Sequence, residues 1–308
     1  MPRPPVRSDG VPRRRRARRK GVAIFTVCAA ALLAVAGYFA YSAYQHVTPF
    51  LTPAGCQAGQ GTSAVSLDPQ QASIAATIAG VAAVEQLPAR AVTIAYATAM
   101  QESHMHNLNY GDLDSVGVFQ QRPSEGWGTT SQLENPVYAT ARFFGALTKV
   151  RGYLDMPVDQ AAQAVQHSAD GSAYSQYDLM ANSLTSAFTG QSPRAVWCWP
   201  GPGPQPQPNL SAVGPGLAAV YGTPAAGRPV TSLSTFRSAK STTVAVRVQP
   251  AEAWAVASWL VSEAAAYGVR DVHYGGYQWT AQGGTKGWQP ETGTANTDSA
   301  TSGSILLH

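Results

Sequence analysis

A glutamate–serine pair, Glu102–Ser103, closes an alanine-rich apolar segment and is the first place where this sequence could support chemistry. General acid catalysis supplies a proton to a leaving oxygen. A carboxylic acid can supply that proton near neutral pH when its surroundings are partly desolvated. The apolar residues that precede Glu102 favour such surroundings. The alternative is a solvated carboxylate at the end of a helix.

A turn-rich stretch, residues 107–121 (NLNYGDLDSVGVFQQ), follows this pair. Its turn residues and the apolar alternation after them predict loops and a small β-hairpin. A hydrolase that works with a pair of carboxylates would need a second one besides Glu102. Asp112 and Asp114 are the nearest acidic residues, in a loop that could face a cleft.

The spacing of Glu102–Ser103 and Gly117–Gln120 (GVFQ) resembles the soluble lytic transglycosylase branch of the lysozyme-like family. The segment 111–128, GDLDSVGVFQQRPSEGWG, is also similar to membrane-anchored lysozyme-like proteins of actinobacteria. The resemblance implies that Glu102 protonates the muramyl–glucosaminyl bond of peptidoglycan. It further implies that Glu102 then takes the proton of the sugar's C6 hydroxyl, which closes a 1,6-anhydro ring. Ser103 would orient the acid and Gln120 would bind substrate, and both the transglycosylase and the muramidase outcome stay open.

The sequence departs from that family in a later segment. The family usually has an Ala-Tyr-Asn-Ala-Gly-like segment, and the nearest counterpart here, residues 162–168 (AQAVQHS), lacks the Tyr-Asn pair. Tyr174 follows and could act as a sugar-contacting ring, with core packing as the alternative. The departure keeps open a second class of function, a non-catalytic peptidoglycan-binding or scaffold protein of an envelope or transfer machine.

The histidines near Glu102 do not predict a metal site. His104 and His106 form a His-x-His pair, and zinc sites use such residue types. Neither an HExxH motif nor a cysteine ligand set accompanies them. The pair Asp112-x-Asp114 is too short for a calcium loop. We therefore predict no metal and no cofactor.

The N-terminus carries a basic run, residues 13–20 (RRRRARRK), directly before the uncharged stretch 21–44. About 20 apolar residues can cross a bilayer as a helix, and a basic flank favours the cytoplasmic side. The pattern predicts a cytoplasmic tail at 1–20 and a transmembrane anchor at 21–44. It also predicts a single-pass protein of the cell membrane whose bulk is extracytoplasmic. A cleaved signal peptide is the alternative.

The overall charge follows from that N-terminal tail. Nine of the 21 Lys and Arg residues lie in residues 1–20, so the net charge of +4 belongs to the tail and the remainder is net acidic. A topology signal accounts for the arginine run. We therefore predict no nucleic-acid partner.

Cys56 and Cys198 both follow the predicted anchor, and an oxidising compartment would permit a disulfide between them. Cys56 precedes the first predicted helix of the domain and Cys198 follows the last. A bridge would therefore close the ends of the domain together. Two free thiols are the alternative.

The predicted fold class is a mainly α, lysozyme-like α+β domain, preceded by one transmembrane helix and followed by a small α+β module. An Asp-Pro pair at 68–69 is a favourable helix start, and apolar periodicity predicts further helices. The first predicted helix starts at 68. Further helices are predicted over 88–103, 136–150, 157–168 and 176–189. The predicted divisions are a tether at 45–67, the lysozyme-like domain at 68–198, a Pro/Gly-rich linker at 199–241 and the module at 242–308.

The C-terminal module is predicted to contain strands at 242–248, 269–280 and 302–308 around one helix at 250–268. Alternation would place some of His273, Tyr274, Tyr277 and Trp279 on one exposed face. Such a face would bind glycan or an envelope protein partner, and a simple core is the alternative. The expected partners of the whole chain are peptidoglycan glycan strands, the membrane through 21–44, and that envelope protein through 242–308.

Overall fold

The structure is a computed structural model that describes most of the chain after residue 52 and a short piece before it. The described residues are 31, 33–39, 53–167, 171–222, 231–238, 241–291 and 304–307. They divide into two units, Met1–Thr52 and Pro53–His308.

The prediction of a membrane anchor at 21–44 is corrected by the structure. No helix in the part of the chain that the structure describes is both long enough and apolar enough to cross a bilayer. Within 21–44 only residue 31 and residues 33–39 are described, and they are helical. The rest of that segment and the tail 1–20 lie outside the described residues. The predicted location at the cell membrane depended on the anchor and is corrected with it.

The second unit contains helices and two antiparallel sheets. Its first sheet has the order β2-β1-β3, with strands β1 (Gly55–Ala58), β2 (Val65–Leu67) and β3 (Val196–Trp199). The helices are α1 (Pro69–Val84), α2 (Ala89–Ser103), α3 (Thr130–Leu133), α4 (Pro136–Leu147), α5 (Val158–Gln166), α6 (Asp178–Phe188), α7 (Leu210–Tyr221), α8 (Ala253–Ser262) and α9 (Ala264–Tyr267). The second sheet has the order β4-β5-β9-β6-β7-β8. Its strands are β4 (Thr231–Ser238), β5 (Ser241–Val248), β6 (Asp271–Tyr274), β7 (Tyr277–Thr280), β8 (Gln289–Pro290) and β9 (Ser304–Leu307).

The predicted fold class is therefore wrong. The unit Pro53–His308 is α+β, with two antiparallel sheets, rather than a mainly α domain with a small appended module, and the described residues include no spanning helix. The first sheet was missed because its strands are short and come from the two ends of the predicted domain.

Helix α1 forms the centre of the fold. Asp68 and Gln71 form a reciprocal capping box at its start, and Pro69 occupies the first helical position, as the Asp-Pro pair predicts. The helix is buried almost continuously from Ala72 to Ala82. A helix that is apolar all round must be covered on all sides, and α1 contacts α2, α4, α7 and α8.

The disulfide between Cys56 and Cys198 is confirmed. The two residues lie directly opposite each other in the antiparallel pair β1–β3, with Cα atoms 3.9 Å apart. The bridge therefore fastens the first strand of the unit to the strand that follows α6.

The C-terminal sheet packs against β3 through two tryptophans, a contact that we call the Trp junction (β3, Trp279 and Trp288). The indole of Trp279 donates to the Cys198 carbonyl at 3.0 Å, and the indole of Trp288 donates to the Val196 carbonyl at 2.8 Å. Strand β3 is an edge strand, and edge strands expose backbone groups that need partners. The two indoles satisfy its carbonyls, and one buried core runs through both parts of the unit.

Two stretches predicted to be extended are folded. The predicted linker 199–241 contains α7 and β4, and the end of the predicted tether 45–67 contains β1 and β2. The face of α7 formed by Val213, Leu217, Val220 and Tyr221 is buried. Gly80 of α1 allows this approach, since a Cβ there would overlap Val220. Proline and glycine content alone therefore misidentified a helix as a linker.

The predicted strand 269–280 is a hairpin instead. Strands β6 and β7 pair around Gly275 and Gly276, whose φ angles are 60° and 77°. Two consecutive positive φ angles are what a tight two-residue hairpin turn requires, and glycine supplies them without strain. The Gly-Gly pair was a readable turn signal within an otherwise strand-like sequence.

Candidate active site

Glu102 lies in the last turn of α2, half-buried. The helix ends at Ser103, and His104 and Met105 then adopt left-handed backbone angles with φ of 51° and 59°. A carboxylate in the last turn opposes the negative end of the helix dipole. Positions that break a local rule of this kind are typical of functional sites.

Tyr174 holds the Glu102 carboxylate. Its hydroxyl donates to Glu102 Oε1 at 2.6 Å, from the 3₁₀ segment Gly171–Tyr177. The ring of Tyr174 is only 1% exposed, so it packs in the core and does not present a face to a sugar. The ring of Tyr174 therefore packs in the core, which was the alternative to sugar contact. Its hydroxyl has a separate role, because it orients the Glu102 carboxylate.

Ser103 joins the end of α2 to the Gly117–Gln120 turn. Its hydroxyl donates to the Val118 carbonyl at 2.7 Å and accepts the backbone N–H of His106 at 3.2 Å. Ser103 is 5% exposed, so its polar atom serves the backbone rather than a ligand. Ser103 therefore fixes the turn next to Glu102, and its predicted role in orienting the acid stays a prediction.

The Gly117–Gln120 turn is fixed by its own side chains and by a glycine. Gly117 has φ of 79°, and a Cβ there would overlap the Leu133 carbonyl. Gln120 also has a positive φ, of 46°. Its amide donates to the carbonyl of Gly117 at 3.1 Å and to that of Tyr110 at 3.3 Å. Gln120 therefore holds the loop that precedes the turn.

Helix α5 reaches the same turn through Gln166, which the sequence analysis did not single out. Its amide donates to the Phe119 carbonyl at 2.7 Å, while the Phe119 ring stacks on Phe143 with centroids 4.5 Å apart. Gln166 belongs to the segment 162–168 that lacks the family's Tyr-Asn pair. No local pattern marks this contact, because its partners lie 47 positions apart. We call Glu102, Ser103, the Gly117–Gln120 turn and Tyr174 the Glu102 site.

The two predicted carboxylate partners of Glu102 differ from each other. Asp114 accepts the backbone N–H of Ser124 at 2.8 Å and the Arg122 guanidinium at 2.9 Å. The Ser124 N–H, followed by Arg122, lowers the pKa of Asp114 to about 2. Asp114 therefore stays ionised and fastens its loop. Asp112 is exposed, and its carbonyl accepts the backbone N–H of Ser115.

His104 and His106 connect α2 to the start of α1. His106 Nε2 lies 2.8 Å from the Asp68 carboxylate, and the Gln71 amide donates to the His104 carbonyl at 2.9 Å. Asp68 and Gln71 are the capping-box pair of α1. These contacts give both histidine positions a structural role beside the Glu102 site.

The predicted C-terminal face is divided between core and surface. Trp279 is 1% exposed and belongs to the Trp junction. His273 lies between Asp271 and Glu291 at 3.1 Å and 2.9 Å, and the hydrogen bond to Asp271 raises the pKa of His273. Tyr274 packs edge-on against Trp254. On this face, the polar side chains of Asp271, His273 and Glu291 therefore bond to one another within the protein.

A cavity of about 690 Å³ lies away from the Glu102 site. It is lined by residues of β1, β3, the proline-rich segment 200–206, the α8–α9 region and the β6–β7 hairpin. Its lining includes the disulfide but none of the residues of the Glu102 site. We place the candidate chemistry at Glu102, since a half-buried acid held by a buried tyrosine is the better-defined chemical arrangement.

No protein-family model matches this chain, and no curated protein matches it either. The resemblance to lytic transglycosylases therefore remains a prediction from the motifs at 102–103 and 117–120.

Proposed function

We propose that this protein cleaves the muramyl–glucosaminyl bond of peptidoglycan as a lytic transglycosylase, with Glu102 as general acid and base. The observation that carries the proposal is the 2.6 Å hydrogen bond from the buried Tyr174 hydroxyl to Glu102 Oε1. It orients a half-buried carboxylate at the end of a helix, next to a turn that Ser103 holds in place.

The proposed reaction uses the Oε2 atom of Glu102. Among the residues that the structure describes, Oε2 has no hydrogen-bond partner, whereas Oε1 is held by Tyr174. Protonated Glu102 gives its proton to the bridging oxygen, and the bond from that oxygen to the muramyl C1 breaks. The C6 hydroxyl oxygen then bonds to C1, and its proton returns to Glu102. The products are a 1,6-anhydro end and a free 4-hydroxyl, and no water is consumed.

The state of Asp114 supports this outcome over hydrolysis. A lysozyme-type hydrolase would use a second carboxylate as nucleophile or base. Asp114 is committed to Arg122 and Ser124, and Asp112 is exposed on the same loop. A transglycosylase needs only Glu102, because the substrate's own hydroxyl is the nucleophile.

The test is to identify the products formed by the purified chain from peptidoglycan, by mass spectrometry of the released muropeptides. We expect 1,6-anhydro-muramyl ends. Reducing ends would make the protein a muramidase. Absence of both products across a wide pH range, with binding retained, would favour the non-catalytic peptidoglycan-binding or scaffold function instead.

A further inference from the structure

The loop between Glu102 and the Gly117–Gln120 turn presents two large apolar side chains to solvent. Tyr110 is 68% exposed and Leu113 is 74% exposed. Leu113 also has φ of 56°, a left-handed conformation that a branched apolar residue rarely adopts. Packing against the core does not explain this conformation, because the side chain faces solvent.

The loop that carries these side chains is built to stay in one conformation. The Gly117 N–H donates to the Leu108 carbonyl, and the Gln120 amide donates to the Tyr110 carbonyl. Asp114, next to Leu113, accepts from Arg122 and Ser124. Strain of this kind persists where the surrounding structure over-determines it, and such positions cluster at binding sites.

The same hydrogen bonds connect the loop to Glu102. Gln120 donates to both Tyr110 and Gly117, and the neighbouring Val118 carbonyl accepts from Ser103. Ser103 directly follows Glu102 in α2. The loop that carries the exposed pair is therefore tied through Tyr110 to the turn that Ser103 fastens beside Glu102.

We propose that Tyr110 and Leu113 form a glycan-contact surface that seats the substrate strand next to Glu102. The apolar C–H face of a pyranose ring packs on the Tyr110 ring, and the Leu113 side chain extends that contact. A surface that is already ordered loses little conformational entropy on binding. The inference rests on the proposed function, since it takes its ligand, a glycan strand, from the reaction assigned to Glu102.

The experiment measures binding of the full chain carrying Glu102→Gln, so that turnover cannot consume the ligand. The probes are purified peptidoglycan in co-sedimentation and soluble N-acetylglucosamine oligomers in titration calorimetry. Tyr110→Ala and Leu113→Ala, added singly, are expected to weaken binding about tenfold, the equivalent of 1.4 kcal/mol of lost contact. Tyr110→Phe keeps the ring and is expected to lose less binding than Tyr110→Ala, which separates the contribution of the ring from that of the hydroxyl.

Leu179→Ala is the matched control for Leu113→Ala. Leu179 is also an exposed leucine, at 86%, but it lies on α6 and takes no part in the loop. It is expected to leave binding unchanged. Circular dichroism spectra of all variants report whether they fold.

The outcomes separate this inference from the proposed function. Unchanged binding in folded Tyr110→Ala and Leu113→Ala overturns the inference, even if the wild type releases anhydro products. Tyr110-dependent binding without any cleavage by the wild type supports the inference and refutes the proposed reaction. Absence of binding by the Glu102→Gln chain, or an effect of Tyr110→Ala on self-association alone, overturns the inference.

Discussion

The Glu102 site and the Trp junction are stabilised in different ways. In and around the Glu102 site, side chains hold a strained backbone. Four of the seven described non-glycine residues with positive φ fall within 104–120: His104, Met105, Leu113 and Gln120. At the Trp junction, buried indoles and a disulfide fasten the edge strand β3. The contacts of the Trp junction stabilise the fold, whereas the contacts of the Glu102 site fix the position of the carboxylate and of the turn beside it. Changes at the junction should alter unfolding, and changes at the site should alter activity.

The largest stability effect is expected from the disulfide. Replacing both Cys56 and Cys198 by serine should lower the free energy of unfolding by about 4–5 kcal/mol, because a long loop in the unfolded chain is no longer closed. Denaturant unfolding measures the loss. The control is Cys28→Ser, at the third cysteine of the chain. An unchanged midpoint in the double variant would show that the bridge does not stabilise the junction.

A smaller loss is expected from Trp279→Phe. The Cys198 carbonyl would lose its indole donor, and a buried acceptor left without a partner costs about 1–3 kcal/mol. Trp259→Phe is the matched control, since Trp259 is equally buried but its indole N–H has no partner among the described residues. Equal losses in the two variants would mean that the hydrogen bond at the junction contributes nothing beyond packing.

The reverse pattern is expected at Tyr174. Tyr174→Phe keeps the buried ring, so stability should fall by only about 1 kcal/mol. The rate of anhydro-product release should fall about tenfold, because Oε1 of Glu102 loses the donor that orients it. The control is Tyr138→Phe, because the Tyr138 hydroxyl makes a long, 3.4 Å hydrogen bond to the Trp127 carbonyl. Loss of stability without loss of rate would remove Tyr174 from the site.

The smallest effects are expected from Asp114, in the loop before the Gly117–Gln120 turn, and from His273, on the C-terminal sheet, and their pH dependences have opposite signs. The lowered pKa of Asp114, about 2, means that its contribution is present above about pH 4 and is lost as the pH falls through about 2. The raised pKa of His273 means that its contribution is present below its ordinary pKa of 6.5 and is lost as the pH rises through the folded value.

Asp114→Asn and His273→Gln test these signs by melting temperature as a function of pH. The difference between wild type and Asp114→Asn should shrink toward pH 2, and that between wild type and His273→Gln should shrink at alkaline pH. Parallel shifts at all pH values would assign both side chains to packing alone.

Local signals in the sequence predicted local structure. The Asp68-Pro69 start of α1 was predictable because a cap depends on residues three positions apart. The disulfide was predictable because only Cys56 and Cys198 flank the helical region. Glu102 was chosen as the candidate acid from its spacing to Gly117–Gln120, and its catalytic role stays a prediction.

Contacts between distant segments were not predictable. Tyr174 reaches Glu102 across 72 positions, and Gln166 reaches Phe119 across 47, so no window of sequence contains either pair. Helix α7 was hidden by Pro215 and its flanking glycines, although its buried face repeats at helical spacing. Hydropathy predicted a membrane anchor, whereas the described residues include no spanning helix. The composition of a segment does not show what packs against it, and for α7 that packing is with α1 around Gly80.

The most direct test of the central claim compares Glu102→Gln with Glu134→Gln in the full chain. Both glutamates are half-buried, but Glu134 is not part of the Glu102 site. The measurement is the initial rate of 1,6-anhydro-muropeptide release alongside the melting temperature. We predict that Glu102→Gln lowers the rate at least about a hundredfold, the effect of removing a general acid and base, while its melting temperature stays near that of the wild type. Glu134→Gln should retain the wild-type rate, and a folded Glu102→Gln protein with an undiminished rate would contradict the account.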